Sequence, residues 1–496
     1  MVWKDFRSFV AEIERRGNLK VVEGADCKLE IGALTELMCE RMGPMLLFES
    51  IKGYPKNYRI AAKPYSTPLR SAIAMGLPED VSEFDMFKAW REKLRHYRPV
   101  EPVEVTWSAV MENVDEDADV DLTKFPVPLW HELDGGPYFG TGCAVITRDP
   151  DEDWVNLGTY RCMLHDEKTT AVDIAPYHHG NLHMQKWWAA GKRAPVAVAI
   201  SLDPALFLAS AEGLPWGSTE YHYAGYLRGE PEEVFRGPRT GLPLPANAEL
   251  IIEGEVPPPS EDQRIEGPFG EYTGYYAGGR KERPVIRVQA VYYRNDPLLH
   301  GDPPLKPPVL TIACPPARSV LTIWDGLEKA GLAGIKGVYP LNAGGEFVTV
   351  VSVTQQYAGH ARQVGRVASG LMHTMCRLVV VVDDDIDPSN AQEVLWAIAS
   401  RSDPATTFEI QTDCPASPLD PRIPPALKGQ RSLTNSRALI IACRPWEWKD
   451  DFPPVNRNSE ELRKRTYDKW RSLFEDGATP LPAAAKPPEL ATASSH

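Results

Sequence analysis

No two cysteines in this 496-residue chain form a Cys-x-x-Cys pair. The eight, at 27, 39, 143, 162, 314, 376, 414 and 443, are scattered, several of them within apolar runs. That distribution excludes a disulfide frame or a zinc ribbon and fits reduced, buried thiols. Also missing is any run of about 18 uncharged apolar residues, the length that spans a bilayer, so no membrane partner is expected. The opening residues, Met1-Val2-Trp3-Lys4-Asp5-Phe6, are charged at once and lead into no cleavable apolar segment, which makes a cytoplasmic protein the expectation. Lys/Arg blocks are absent as well: 54 basic residues face 68 acidic ones, a net charge of −14. Without clustered cations an extended phosphate backbone has nothing to grip, and nucleic acid is excluded as an expected partner. A small acidic substrate would need a local cationic pocket, so an Arg inside a candidate site carries weight. No Rossmann or P-loop fingerprint, Gly-x-Ser-x-Gly elbow or His-Glu-x-x-His motif occurs.

What is there is ordinary for a folded protein. Hydrophobic residues make up 43% and charged residues 25%, and the length calls for two or three domains. Residues 4–16 place Phe6, Phe9, Val10 and Ile13 on one helical face, with Gly17 as the stop. A helix at 31–42, strands at 45–48 and 58–62 and a helix at 84–97 complete an N-terminal α/β domain, assigned to 1–104. Residues 105–318 have another texture, short apolar or alternating runs broken by Gly and Pro, which reads as a closed or sandwiched antiparallel sheet with helices only near 182–191 and 205–213. From 319 to 450 helix and strand alternate: helix 324–331, strand 346–353, helix 359–376, strand 377–383, helix 389–401, strands 406–410 and 438–442. Crossover connections and a third, layered α/β domain follow. A helix near 459–474, within 451–476, docks either on another subunit or on its own domain. Residues 477–496, rich in Ala and Pro, are expected to be disordered.

Four stretches hold residues suited to chemistry. The first is Asp153-Trp154-Val155-Asn156-Leu157-Gly158-Thr159-Tyr160-Arg161, in which a bend at Gly158 would bring Asn156 and Arg161 to one pocket; a surface hairpin is the bland alternative. The second runs from Asp173 through His178, His179 and Gly180 into a helix. Adjacent side chains diverge in extended chain, so at most one histidine faces a given ion, and a hydrogen-bonded structural role stands beside a ligand role. The third, Ala209-Ser210-Ala211-Glu212-Gly213-Leu214-Pro215-Trp216-Gly217-Ser218-Thr219-Glu220, ends on a carboxylate. Asn oxygen, His nitrogen and Glu oxygen would form a mixed, fairly hard set suited to Mn²⁺ or Mg²⁺. The fourth holds Arg264, Glu266 and Glu271 in a Gly/Pro-rich turn. Two carboxylates beside an Arg can part in acidity, one ionised and one poised for proton transfer, although acidic surface turns are common. The acidic run 383–387 is read as helix-start capping rather than metal binding.

Taken in order, these stretches resemble the UbiD family of reversible decarboxylases that use prenylated FMN. The resemblance extends over about 4–450 and includes Met45-Leu-Leu-Phe-Glu-Ser-Ile-Lys-Gly-Tyr54, Glu266-Gly-Pro-Phe-Gly-Glu-Tyr-Thr-Gly-Tyr275, Gly301-Asp-Pro-Pro304 and Tyr357-Ala-Gly-His-Ala-Arg-Gln-Val364. It implies a central split β-barrel, flavin-reductase-like, flanked by N- and C-terminal α/β domains, in a homodimer or homohexamer. It implies Asn156, His179 and Glu220 as Mn²⁺ (or Mg²⁺) ligands against the cofactor phosphate. Backbone groups of Trp154, Ala209, Ser210 and Glu212 would hold K⁺, and Leu157, Gly158, Thr159, Arg161, His178 and Ser210 would line the prenylated FMN. Arg161, Glu266 and Glu271 fall on the family's acid/base network, with Glu271 as proton donor and Arg161 orienting the substrate carboxylate and holding Glu266 ionised.

The implied reaction releases CO₂ from an aromatic, heteroaromatic or α,β-unsaturated acid through a covalent adduct with the cofactor, whose chemistry the protein only positions. A flavin prenyltransferase is the implied supplier, and Tyr272 and Arg318 are the expected substrate-pocket residues. Two other readings remain, an FMN-dependent oxidoreductase on the same barrel and a non-catalytic assembly protein.

Overall fold

Phe6, Phe9, Val10 and Ile13 are all buried on one face of the helix Phe6–Arg15, whose start Asp5 and Ser8 close with a reciprocal capping box. The computed structural model describes residues 3–309, 321–345, 347–372, 374–428, 430 and 432–475; Arg318 and the tail 477–496 lie outside the described residues. These residues fall into two compact units, one drawn from Met1–Glu79, Ala89–Arg318 and Pro418–Lys428, the other from Asp80–Lys88, Ser319–Ser417 and Gly429–His496. Among the described residues no helix is long and apolar enough to cross a membrane. The seven described cysteines are free, five of them buried.

In the first unit, the strands Leu19–Glu23, Met45–Glu49 and Arg59–Ala62 pair in that order and are joined by Leu298–Gly301, from far along the chain. The main body is a nine-stranded sheet. Its path runs Val155–Gly158, Cys143–Arg148, Ala194–Ile200, Leu250–Val256, Lys281–Tyr293, Thr169–Asp173, Arg161–Asp166, and every pair along it is antiparallel. The two ends of this path, Val155–Gly158 and Arg161–Asp166, are separated in sequence only by Thr159 and Tyr160. A two-residue link spans at most about 7–10 Å, so the sheet has to curl until its first and last strands meet. Val145, Val196, Val198, Leu250, Ile252, Val285 and Val291 fill its interior. Alternation along these strands follows from the pleat, which sends successive side chains to opposite faces.

The expected helices near 182–191 and 205–213 are His179–Ala189 and Pro204–Ser210. Two more helices were not expected, Pro68–Met75 and Glu220–Arg228. In the second unit a five-stranded sheet runs Ile335–Pro340, Val348–Val353, Leu378–Asp383, Thr434–Ala442, Phe408–Pro415. Its three central strands are parallel and, as continuous Val/Ile/Leu runs, are covered on both faces. The helix His360–Leu371 makes the crossover between the first two of them. The acidic run 383–387 does not cap the next helix: Asn390 does, accepting from Gln392 and Glu393 N–H. Asp383 and Asp385 pair instead with Arg401, at 2.9 and 2.7 Å.

Candidate active site

Arg161 opens its strand directly opposite Asp173 on the neighbouring antiparallel strand. Its guanidinium makes a fork to Glu266, Nε to Oε1 at 2.8 Å and Nη2 to Oε2 at 2.9 Å, and donates Nη1 to Glu271 Oε1 at 2.6 Å. The fourth strong contact is Nη2 to Asp173 Oδ2, 2.6 Å. Such bidentate, charge-assisted bonds fix both partners in orientation as well as distance. Glu266 is 1% exposed and also accepts from the Tyr138 hydroxyl at 2.9 Å. Phe269 lies beneath the guanidinium, 5.7 Å from Cζ to the ring centre. The turn that delivers Glu271 depends on Gly267, whose φ of +80° suits glycine and where a Cβ would stand 3.2 Å from the Gly279 carbonyl. Gly135 N–H donates to the Pro268 carbonyl at 2.8 Å and pins that turn.

The electrostatics bear on Glu271. Burial pushes the Glu271 carboxyl up; Arg161 opposes this, Asp173 and Glu266 add to it, and the result is about 7. Burial works against the Arg161 charge, but Asp173, Glu266 and Glu271 outweigh it and hold the guanidinium firmly protonated. Tyr138 is pushed up by burial and by Glu266, and so stays a donor.

A second group gathers where the sheet's edges meet. Glu220, the first residue of its helix and 1% exposed, accepts Leu157 N–H at 2.7 Å; burial pushes its carboxyl up to about 8. Asn156, on the same strand as Leu157, is buried, and its Nδ2 makes no hydrogen bond of acceptable geometry. The Tyr160 hydroxyl interacts with Asn156, the Gly180 N–H and Glu220. Its ring occupies the space a Cβ on Gly158 would need, 2.3 Å away, which explains a glycine at the bend. Thr159 N–H donates to the Ser210 carbonyl at 3.0 Å, and their hydroxyls stand 3.2 Å apart.

The two histidines diverge as adjacency dictates. His178 faces Tyr160 and Tyr177, and His179 faces Trp154 and Trp216, with ring centres 5.1 and 5.4 Å away. The carbonyls of Trp154, Ala209 and Ser210 accept backbone bonds from Asp149, Glu212 and Thr159. Glu212 and Tyr272 are half-buried in their loops. No group of three His, Cys, Asp or Glu among the described residues is arranged to hold a metal; the expected set contains an asparagine. Thus the structure gathers Arg161, Glu266 and Glu271, and separately Asn156, Glu220 and Tyr160.

Asp173, Tyr138 and Tyr160 are not among the residues expected from sequence as site members. Asp173 had a readable signal: a hairpin turning at Glu167 sets 161 opposite 173.

Three family models cover most of the chain. The N-terminal, Rift-related and C-terminal domains of 3-octaprenyl-4-hydroxybenzoate carboxy-lyase match residues 10–89, 102–307 and 312–442. The chain belongs to the UbiD family. Pyrrole-2-carboxylic acid decarboxylase of Pseudomonas aeruginosa is 34% identical over 427 residues, 81% of this chain and 83% of the relative. Phenolic acid decarboxylase of Bacillus subtilis is 30% identical over 436 residues, 85% and 89% of the two chains. Among solved structures, the UbiD-class enzyme HmfF of Pelotomaculum thermopropionicum in complex with FMN superposes with a TM-score of 0.80 at 27% identity, covering 94% of this chain and all of that one. The UbiD assignment makes the chain a carboxy-lyase with mixed α/β architecture.

Proposed function

We propose that this UbiD-family enzyme reversibly decarboxylates an aromatic or heteroaromatic carboxylic acid, with Glu271 as the proton donor to the carbon that loses CO₂. The observation that carries this is the Arg161 guanidinium shared between Glu266 and Glu271, with Glu271 held near neutrality. An acid that titrates near the working pH transfers a proton most effectively. Arg161, which Phe269 and three carboxyls hold in place, is the cation that would orient the substrate carboxylate. The curated relatives' substrates, pyrrole-2-carboxylic and phenolic acids, support the substrate class, and α,β-unsaturated acids belong to the same proposal. Tyr272 and Arg318 are proposed to line the substrate pocket.

The residues present fit a flavin with its metal. The Asn156 side-chain oxygen and the buried Glu220 carboxylate are hard oxygen donors gathered around the Tyr160 hydroxyl, a set suited to a divalent cation. Asn156, His179 and Glu220 would hold Mn²⁺ or Mg²⁺ against the cofactor phosphate, and backbone groups of Trp154, Ala209, Ser210 and Glu212 would hold K⁺. Leu157, Gly158, Thr159, His178 and Ser210 would line the cofactor. HmfF is known in complex with FMN and, in an evolved dimeric form, with prFMN. When bound, prenylated FMN supplies the electron sink that loss of CO₂ from an sp² carbon demands. In this reading the curled sheet is a split β-barrel of flavin-reductase type within a three-domain chain, 1–104, 105–318 and 319–450. Helix 451–476 would serve assembly into a cytoplasmic homodimer or homohexamer, and a flavin prenyltransferase would supply the cofactor.

Glu271→Gln tests the reading: turnover should be lost while the cofactor is retained, as measured by CO₂ release and by mass spectrometry of the released flavin. Full activity in the variant overturns it.

A further inference from the structure

Glu266 and Glu271 account for three of the four strong contacts of Arg161. The remaining one belongs to Asp173, whose two oxygens are divided between two cations: Oδ2 lies 2.6 Å from Arg161 Nη2 and Oδ1 lies 2.5 Å from Arg283 Nε. Asp173 holds this place by strand register, as the direct cross-strand partner of Arg161. Its side chain is 18% exposed and that of Arg161 is 13%, so little solvent screens the cluster.

Charge counting then constrains the site. Three carboxyls, Asp173, Glu266 and Glu271, make their direct ion pairs with two cations, Arg161 and Arg283, while the nearby Lys428 ammonium is bonded to the Ala277 carbonyl instead, so with all three ionised two cations would have to serve three carboxylates in a largely dry pocket. The carboxyl with the fewest donors is the one that holds a proton most readily. Glu266 receives two Arg N–H groups and a phenol. Asp173 contacts both guanidiniums. Among the described residues Glu271 receives Arg161 Nη1 alone.

We propose that Asp173 is a positioning residue for the reaction: it fixes Arg161 from across the hairpin and, as the third carboxylate on two cations, leaves the proton on Glu271. The proposal rests on the reading of Glu271 as proton donor and adds what sets that donor's charge state. In keeping with it, after burial and Arg161 itself, Asp173 acts on the Glu271 carboxyl more strongly than Glu266 does. The groups facing Glu271 are Arg161 and Asp173 from the hairpin, Glu266 from its own turn, and Lys428 from the segment 418–428, whose ammonium donates to the Ala277 carbonyl. Arg283, Lys281 and Asp420 stand one step further out. Glu271 is protonated in the active form, so kcat/KM falls as pH rises through its midpoint. Removing the Asp173 charge moves that fall toward acid.

The experiment follows the carboxyl directly. In cofactor-loaded, full-length protein, pH-dependent infrared difference spectra are taken for the wild type, Asp173→Asn and Asp173→Glu. The band that disappears in Glu271→Gln identifies Glu271. In Asp173→Asn the Glu271 midpoint, and with it the basic limb of kcat/KM, should fall by about one pH unit, giving about tenfold lower activity above the limb and recovery below it. In Asp173→Glu, which keeps the charge, both should stay in place.

An unmoved midpoint in folded Asp173→Asn, with activity reduced equally at every pH, overturns the proposal and reduces Asp173 to a structural residue. If Asp173→Asn does not fold, Arg283→Gln decides: removal of that cation should move the Glu271 midpoint up, and a fixed midpoint overturns the proposal. Wild-type turnover by Glu271→Gln, in contrast, overturns the underlying assignment of the proton donor.

Discussion

Arg161 is the residue on which the site turns, and the chemistry of its replacement is specific. Lysine keeps the charge but has no planar fork, so Arg161→Lys cannot serve Glu266 bidentately while reaching Glu271 and Asp173. Decarboxylation should fall at least about tenfold, read as kcat/KM, with fold retained by circular dichroism. Arg161→Ala leaves Glu266, 1% exposed, as an uncompensated buried carboxylate and should destabilise the protein by about 3–5 kcal/mol in denaturant titration. Glu271 makes a pH prediction with a definite sign. Its folded-state value, about 7, lies above the ordinary 4.5, so between those values the folded protein binds a proton that the unfolded chain does not. Stability contributed by this group is therefore full below about pH 4.5 and falls as pH rises toward 7. Urea titrations should show that fall, and in Glu271→Gln it should flatten. At this scale the sequence exposed Glu266 and Glu271 because residue types in a Gly/Pro-rich turn are local information, whereas their link to Arg161 came from the family resemblance and the arginine of the turn itself, Arg264, pairs with Asp166. Tyr138 stayed hidden because its contact depends on a partner 128 residues away, whereas the hairpin register that sets Asp173 opposite Arg161 was there to be read.

At the scale of elements, two short pieces decide the geometry. The turn after Glu266 needs Gly267 at φ +80°. Gly267→Ala should cost about 1–3 kcal/mol in backbone strain, swing Glu271 off Arg161, and lower kcat/KM more than it lowers cofactor content. The helix Glu220–Arg228 presents Glu220 to the Asn156 strand. Its sequence, with Tyr221, Tyr223 and Tyr226 among polar residues, carries a strand-like alternation, and that is why it was unread. Gly229 in the left-handed conformation ends it and was the available signal. The helix Pro68–Met75 was equally legible, from Thr67 as cap, Pro68 at its start and Gly76 at its end. If Asn156, His179 and Glu220 form the cation site, Mn²⁺ at about a hundred times its Kd should stabilise the protein by about 2.7 kcal/mol. Glu220→Gln should lose that gain in a thermal melt.

For the whole molecule, the rhythm of the chain revealed an α/β architecture with a β-rich middle, because periodicity is written in local sequence. A closed or sandwiched middle sheet was expected from its short runs broken by Gly and Pro, but the way it curls was not legible. It follows from strand order, with Lys281–Tyr293 pairing to four other strands, and pairing at that separation leaves no mark in composition. The curl brings the first and last strands of the path, which carry Asn156 and Arg161, to either side of the two-residue link at Thr159 and Tyr160. An acidic chain of net charge −14 thus holds a largely buried guanidinium, Arg161, among three carboxyls, where low exposure strengthens each ion pair.

The most direct test measures CO₂ release from pyrrole-2-carboxylate and phenolic acids by full-length protein co-expressed with a flavin prenyltransferase, with wild type and Glu271→Gln compared at equal flavin content. The expected result is turnover by the wild type, none by Glu271→Gln, and the same prenylated flavin mass released from both. Wild-type CO₂ release from Glu271→Gln, or the absence of any flavin in an active wild type, would contradict it.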